Sequence, residues 1–215
     1  MKEKTDKERT LTAAEQRRKE RFEGLKADLE REGYTAQELT MGVVQANVMA
    51  IAVMLPFVLV IAVAYLWVND GLGADLTLPE LCLLVVLLVM LTVVHELIHG
   101  LVWGSCAPSR FKAVEFGVIW SMLTPYCTCA EPMKKWQYLL GSAMPTLVLG
   151  FGLGAVAVCT GKSLLLYLAL LMTLGGGGDF CIILKLLRYH PQGETVYCDH
   201  PYELGLVAFE RSAWD

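Results

Sequence analysis

The chain has 215 residues, of which 55% are hydrophobic and 19% charged, and its formal net charge is -4. So apolar a composition excludes an ordinary soluble domain and indicates the membrane class. No basic stripe with interleaved aromatics occurs, so nucleic acid is not expected as a partner.

The charges crowd at the start, where residues 1–40 hold ten of the 18 Lys and Arg and ten of the 22 Asp and Glu. This stretch is charged and lacks an apolar core, so it is not expected to be a secretory signal and should stay on the chain. Thr12-Ala13-Ala14-Glu15 fits a capping box that opens a helix, and Gly33 would stop it. Phe22, Leu25 and Leu29 give that helix a thin apolar stripe. It is read as a solvated cytoplasmic helix rather than a partner-binding one, filling a segment 1–40.

Four hydrophobic runs follow, near 43–68, 79–104, 137–159 and 163–187. Each is long enough for a bilayer core of about 30 Å, which needs roughly 20 residues. Pro56 is expected to kink the first. The loop near 69–78 carries Asp70 and Asp75 and no Lys or Arg, whereas the loop near 105–136 carries Arg110, Lys112, Lys134 and Lys135. The link near 160–162 has only Lys162, and Lys185 and Arg188 lead into the tail. The positive-inside rule then gives four crossings of the cell membrane with both termini cytoplasmic.

Between the second and third runs lies "FKAVEFGVIWSMLTPYCTCA", residues 111–130. It is rich in β-branched and aromatic residues and broken by Pro125, which predicts two short strands or a re-entrant hairpin on the cytoplasmic side. The stretch "TVYCDHPYELGLVAFE" could add a strand pair within a cytoplasmic tail over 191–215. The predicted fold class is a mostly α, polytopic membrane protein, with a membrane domain over 41–190 and four transmembrane helices. The seven cysteines are scattered and form no disulfide framework. Cys127-Thr128-Cys129 is one residue short of C-x-x-C, so paired small residues on a strand fit better than a metal clip.

The second run ends in "HELIHG", residues 95–100. On a helix His95 and His99 share one face, and both imidazoles can reach one zinc ion. Glu96 is turned by one residue, so it can contact a metal-activated water instead of the metal. That is the arrangement in which a glutamate takes the proton of the water and passes it to the leaving amine. A glutamate at membrane depth costs on the order of 2.5–3.5 kcal/mol, so the group asks for a reason. The bland alternative is that these residues cap a helix end at the interface.

A third metal ligand is sought among the remaining residues. His190 and His200 lie beyond the last run and read as surface or turn residues. Asp179, in "LGGGGDFCIIL", is the better candidate. His95 and Asp179 each stand 16 residues in from the start of their runs, taken at Pro79 and Ser163. Both would then lie about 24 Å down at 1.5 Å per residue. Two neutral histidines with ionised Asp179 and Glu96 total minus two, which one Zn²⁺ cancels. The glycines at 175–178 allow two readings. One is a locally unwound helix that aims Asp179. The other is close helix packing, with Asp179 capping the helix that follows.

Taken together, "HELIHGLVWG", "TPYCTCAEP", "GSAMPTLVLG", "GGGGDF" and "DHPYELGLVAFE" resemble the bacterial "putative zincin" membrane metallopeptidase family, formerly a domain of unknown function. The resemblance covers roughly residues 80–210. More distantly, the layout is similar to site-2 intramembrane proteases, whose third zinc ligand is an aspartate on a later membrane helix. Asp179 is the matching position, although this chain has Gly-Asp-Phe where those proteases usually have Asp-Gly. The resemblance implies a zinc metalloendopeptidase with His95, His99 and Asp179 on the metal and Glu96 as the catalytic residue. Its partners would be the lipid bilayer and a membrane protein or peptide substrate, which could add to the 111–130 hairpin as a strand. The competing readings are a non-catalytic metal-binding membrane protein and, less favoured by four spans without an inverted repeat, an ion transporter.

Overall fold

The computed structural model describes residues 11–71, 76–119 and 124–211. Among them the chain is mostly helical, with two small antiparallel sheets. In chain order the elements are α1 (Ala13–Arg31), β1 (Thr35–Thr40), α2 (Val43–Asn69), α3 (Leu78–Cys106), β2 (Val114–Ile119) and β3 (Thr124–Cys129). There follow α4 (Lys135–Pro145), a π-helical stretch Thr146–Gly152, α5 (Leu153–Thr160), α6 (Ser163–Gly175), α7 (Gly177–Arg188), β4 (Glu194–Asp199) and β5 (Gly205–Arg211).

Helix α1 begins at the expected capping box. The Thr12 hydroxyl accepts from the Glu15 N–H at 3.3 Å, and the Glu15 carboxylate accepts from the Thr12 N–H at 2.8 Å. The chain turns out of the helix at Gly33, whose φ of +88° suits glycine. The apolar stripe is not solvated, in contrast to the sequence reading. Leu29, with Phe22 and Leu25 beside it, packs on Tyr34, Cys198, Val207 and Phe209. Burying such side chains stabilises by about 1.5–3 kcal/mol each, which is enough to dock an otherwise polar helix. Arg21 also forms an ion pair with Glu115 on β2, and the Arg18 guanidinium lies 4.4 Å above the Tyr126 ring on β3.

The sheet beneath α1 has the order β1-β5-β4. Thr35 faces Glu210 and Thr40 faces Gly205, while Glu194 faces Arg211. The expected C-terminal strand pair is therefore present, but it takes a third strand from the charged N-terminal segment. The second sheet is the hairpin β2–β3, in which Phe116 faces Cys127. A single bridge between Met133 and Tyr197 links the hairpin's exit to β4.

Three helical stretches are long and apolar enough to cross a membrane: Val43–Asn69, Leu78–Cys106 and Lys135–Thr160. The pair α6 and α7, bent by 41° at their junction, makes a fourth if counted as one span. Pro56 lies inside the continuous α2. α3 opens with its own capping box, in which Glu80 accepts from the Thr77 N–H at 2.9 Å. The far end of α2 is tied down where the Tyr65 hydroxyl donates to the Gly161 carbonyl at 2.7 Å and the Asn69 amide donates to the Val158 carbonyl at 3.1 Å. Much of the outer surface of α2 and α3 is apolar, including Val44, Val60, Trp67, Val89 and Leu101, each at least 60% exposed.

The junction of α6 and α7 joins the two readings of the glycines. A Cβ on Gly176 would fall 1.8 Å from the Thr146 hydroxyl, and one on Gly177 would fall 2.6 Å from the Ala50 Cβ. Close packing thus presses on the chain where the helix breaks. The break starts a new helix, α7, with Asp179 in its first turn. An acid there is favoured by the helix dipole.

Candidate metal centre

Two helices build the centre. α3 presents His95 and His99 one turn apart, and α7 presents Asp179 from its first turn. His95 Nε2 lies 3.1 Å from one Asp179 carboxylate oxygen, and His99 Nε2 lies 3.4 Å from the other. The two Nε2 atoms are 3.2 Å apart. All three candidate ligand atoms lie within 4.8 Å of one another. Both histidines are buried and Asp179 is partly so.

The donor set can be tested for fit. His99 Nδ1 is 2.9 Å from the Gly141 carbonyl oxygen, which can only accept, so Nδ1 carries the proton. In the neutral ring Nε2 is then a bare lone pair, and it points at another imidazole nitrogen and at a carboxylate. A lone pair aimed at a carboxylate in a buried site is unfavourable unless a proton or a cation lies between them. Ligand bonds of about 2.0–2.1 Å in a tetrahedron put neighbouring ligand atoms about 3.3–3.4 Å apart. The observed separations of 3.1 to 3.4 Å lie close to that edge length. A divalent metal with nitrogen and oxygen ligands fits these residues.

Glu96, next in sequence to His95, is half-buried. The backbone N–H of Cys127 on β3 faces its carboxylate, so the hairpin's edge runs beside it. Behind His99 the Trp103 indole stacks on the imidazole, with centroids 4.9 Å apart and planes 17° from parallel. His95, His99 and Trp103 succeed one another at four-residue steps along one face of α3. The sequence reading missed Trp103, although that spacing was open to view.

Gly141 on α4 has two tasks in this arrangement. Its carbonyl accepts the hydrogen bond from His99 Nδ1–H, and its missing side chain leaves room for Trp103. A Cβ there would fall 1.9 Å from the indole nitrogen. Gly141→Ala is expected to displace the indole and spoil the His99 hydrogen bond. Overpacking of this kind costs about 1–3 kcal/mol, and lost support behind a ligand weakens metal binding by about 10–100-fold. Chelator competition on the purified variant measures the loss, and wild-type affinity would contradict it.

The other residues weighed from sequence stand apart from the centre. His190 is exposed. His200 Nδ1 accepts from the Glu203 N–H at 2.9 Å, which is a turn role. Cys127 and Cys129 lie two apart on β3. Burial raises both thiols, Cys129 to about 11, and among the described residues neither joins the cluster of candidate ligands. The described cysteines are all free.

One more carboxylate lies nearby. Asp199, at the end of β4, accepts from the Cys129 N–H at 2.8 Å and from the Tyr138 hydroxyl. Burial pushes its carboxyl up, while these two hydrogen bonds pull it down.

No curated protein and no solved structure matches the chain. A family model with the description "Putative zincin peptidase" matches residues 85–193, just over half of the chain. That description implies zinc as the cofactor. The matched stretch runs from the first third of α3 to the residue before β4 and holds His95, Glu96, His99 and Asp179 together. On this match the chain belongs to the "putative zincin peptidase" family.

Proposed function

We propose that the protein is a membrane-embedded zinc metallopeptidase, resembling site-2 proteases, which hydrolyses peptide bonds of membrane proteins or membrane-associated peptides near the cytoplasmic leaflet. The observation that carries this reading is the convergence of both His Nε2 atoms and the Asp179 carboxylate, with Glu96 adjacent. The membrane setting is supported by the apolar outer surfaces of α2 and α3. Their cost in water would be large, and lipid removes it. The topology is supported by the three-stranded sheet. β1 precedes the first span and β5 follows the last, yet the two are hydrogen-bonded neighbours. Both flanks are then on one side, as an even number of crossings requires. The lysines and arginines around the spans make that side cytoplasmic.

The chemistry follows from the chain's own groups. His95, His99 and Asp179 would hold the metal, and the Gly141 carbonyl keeps His99 in the tautomer that offers Nε2. Zinc so held is a Lewis acid that lowers the pKa of a water to about 7. The Glu96 carboxylate takes the proton of the attacking water and later delivers it to the leaving amine nitrogen. β3 lies along the site with the edge opposite β2 turned to Glu96. A substrate held by the hairpin as an added strand would present its backbone for attack.

Metal removal tests the reading. The purified full chain is expected to hold about one zinc ion, as a single three-ligand site would. Chelation should abolish its hydrolysis of a casein probe, and added Zn²⁺ should restore it. Hydrolysis that persists in metal-free protein, or a chain that retains no stoichiometric zinc, would remove it.

A further inference from the structure

Two groups beside the centre, the Tyr138 hydroxyl on α4 and the Cys129 N–H on β3, meet at one residue, Asp199. It lies on β4, beyond the matched stretch, on the sheet that the terminal segments build. One of its oxygens accepts from the Tyr138 hydroxyl. Tyr138 is fully buried on α4, and its ring is 5.6 Å from that of Trp103, which in turn stacks on His99. The other oxygen accepts from the Cys129 N–H at 2.8 Å. Residues two apart on a strand present their N–H groups to the same edge. The N–H of Cys127 therefore points the same way as that of Cys129, and it meets Glu96. Two carboxylates thus hold one edge of β3, Glu96 at residue 127 and Asp199 at residue 129.

We propose that Asp199 is a positioning residue of the metal centre, a single carboxylate that holds the Tyr138 ring behind the Trp103–His99 stack and holds β3 in register with Glu96. This rests on the zinc reading above. A buried carboxylate is costly, and here each oxygen has one donor to offset the cost. Both donors sit on elements that touch the centre. No other residue type of this size supplies two acceptor oxygens. Asparagine keeps the shape but has only one acceptor oxygen. With the Cys129 N–H on that oxygen, the Tyr138 hydroxyl must reverse and accept from the amide NH2, and both contacts lose the carboxylate's charge.

The test uses the full chain in detergent micelles, with Zn²⁺ affinity from chelator competition and the Co²⁺ d–d absorption as a reporter of ligand geometry. Asp199→Ala should weaken zinc binding by about 10–100-fold and alter the Co²⁺ band. Asp199→Asn should fall between it and the wild type. Tyr138→Phe should also weaken zinc, and adding it to Asp199→Ala should cost little more, because the two changes remove two ends of one bond. If Asp199→Ala fails to fold, Asp199→Asn and Tyr138→Phe, which keep their volumes, decide by the same readouts. Variants that match a zinc-loaded wild type in affinity and spectrum overturn this inference alone. A wild type that takes up no zinc overturns the metal-centre reading and this inference with it.

Discussion

Asp179→Ala is expected to leave the purified protein with almost no bound zinc. Of the three candidate ligands, Asp179 alone comes from α7, and it brings the charge that a divalent ion needs. Apparent free energies of about 10–16 kcal/mol for a four-ligand zinc site divide into about 2.5–4 kcal/mol per ligand, or roughly 10²–10³-fold in affinity for one ligand lost. Removing a carboxylate should fall at the upper end, because two neutral imidazoles then face the ion without a counter-charge. His95→Ala should lose as much. Metal analysis of the wild type beside both variants checks this. Stoichiometric zinc retained in either variant would contradict the ligand assignment.

Asp179→Ala also has a consequence for the fold. The aspartate sits 3.1 and 3.4 Å from two imidazole nitrogens, where α7 meets α3. The π-helical stretch and the glycine junction meet beside it, with the Thr146 hydroxyl in the space a Gly176 side chain would need. The helix break is therefore held by packing independent of the carboxylate. The Asp179 variant should keep its helical content while losing its metal, and circular dichroism separates the two.

How far the sequence reaches is set by the range of the interactions involved. The capping boxes at Thr12 and Thr77 and the four-residue step from His95 to His99 are local, and their physics is contained in a few neighbouring residues. The long apolar runs are likewise local, because hydrogen bonds within each helix satisfy its backbone. Asp179 was reachable by counting, since it and His95 each stand 16 residues into their apolar runs. β1 was not reachable. "TAQELT" alternates weakly, and the residues that make it a strand are in β5, about 165 positions later. The same distance hid the docking of the α1 stripe. Asp199 and Tyr138 are more extreme cases, for neither is unusual in its own stretch, and their meaning comes from Trp103 and Cys129 on other elements. Gly141 reads as a packing glycine in sequence, and only the indole above it and the imidazole beside it give it two tasks.

Glu96→Gln is expected to keep zinc bound while abolishing peptide hydrolysis. The substitution preserves size and still offers an oxygen to the Cys127 N–H, so β3 should stay in place. It removes the one group beside the centre that could both take a proton from the attacking water and return it. Asp179 is engaged with both histidines, and Asp199 is engaged with Tyr138 and the Cys129 N–H, so neither carboxylate is free to substitute. General-base and general-acid contributions of about 10²–10⁴ each make the combined loss large. A casein or membrane-peptide probe measures turnover, and metal analysis of the same sample measures zinc. The pairing separates the enzyme from a metal-binding membrane protein without catalysis. If Glu96→Gln hydrolyses as the wild type does, Glu96 is not the base. If a zinc-loaded wild type hydrolyses nothing and the variant serves its cellular role equally well, the centre holds metal for structure or for binding a partner.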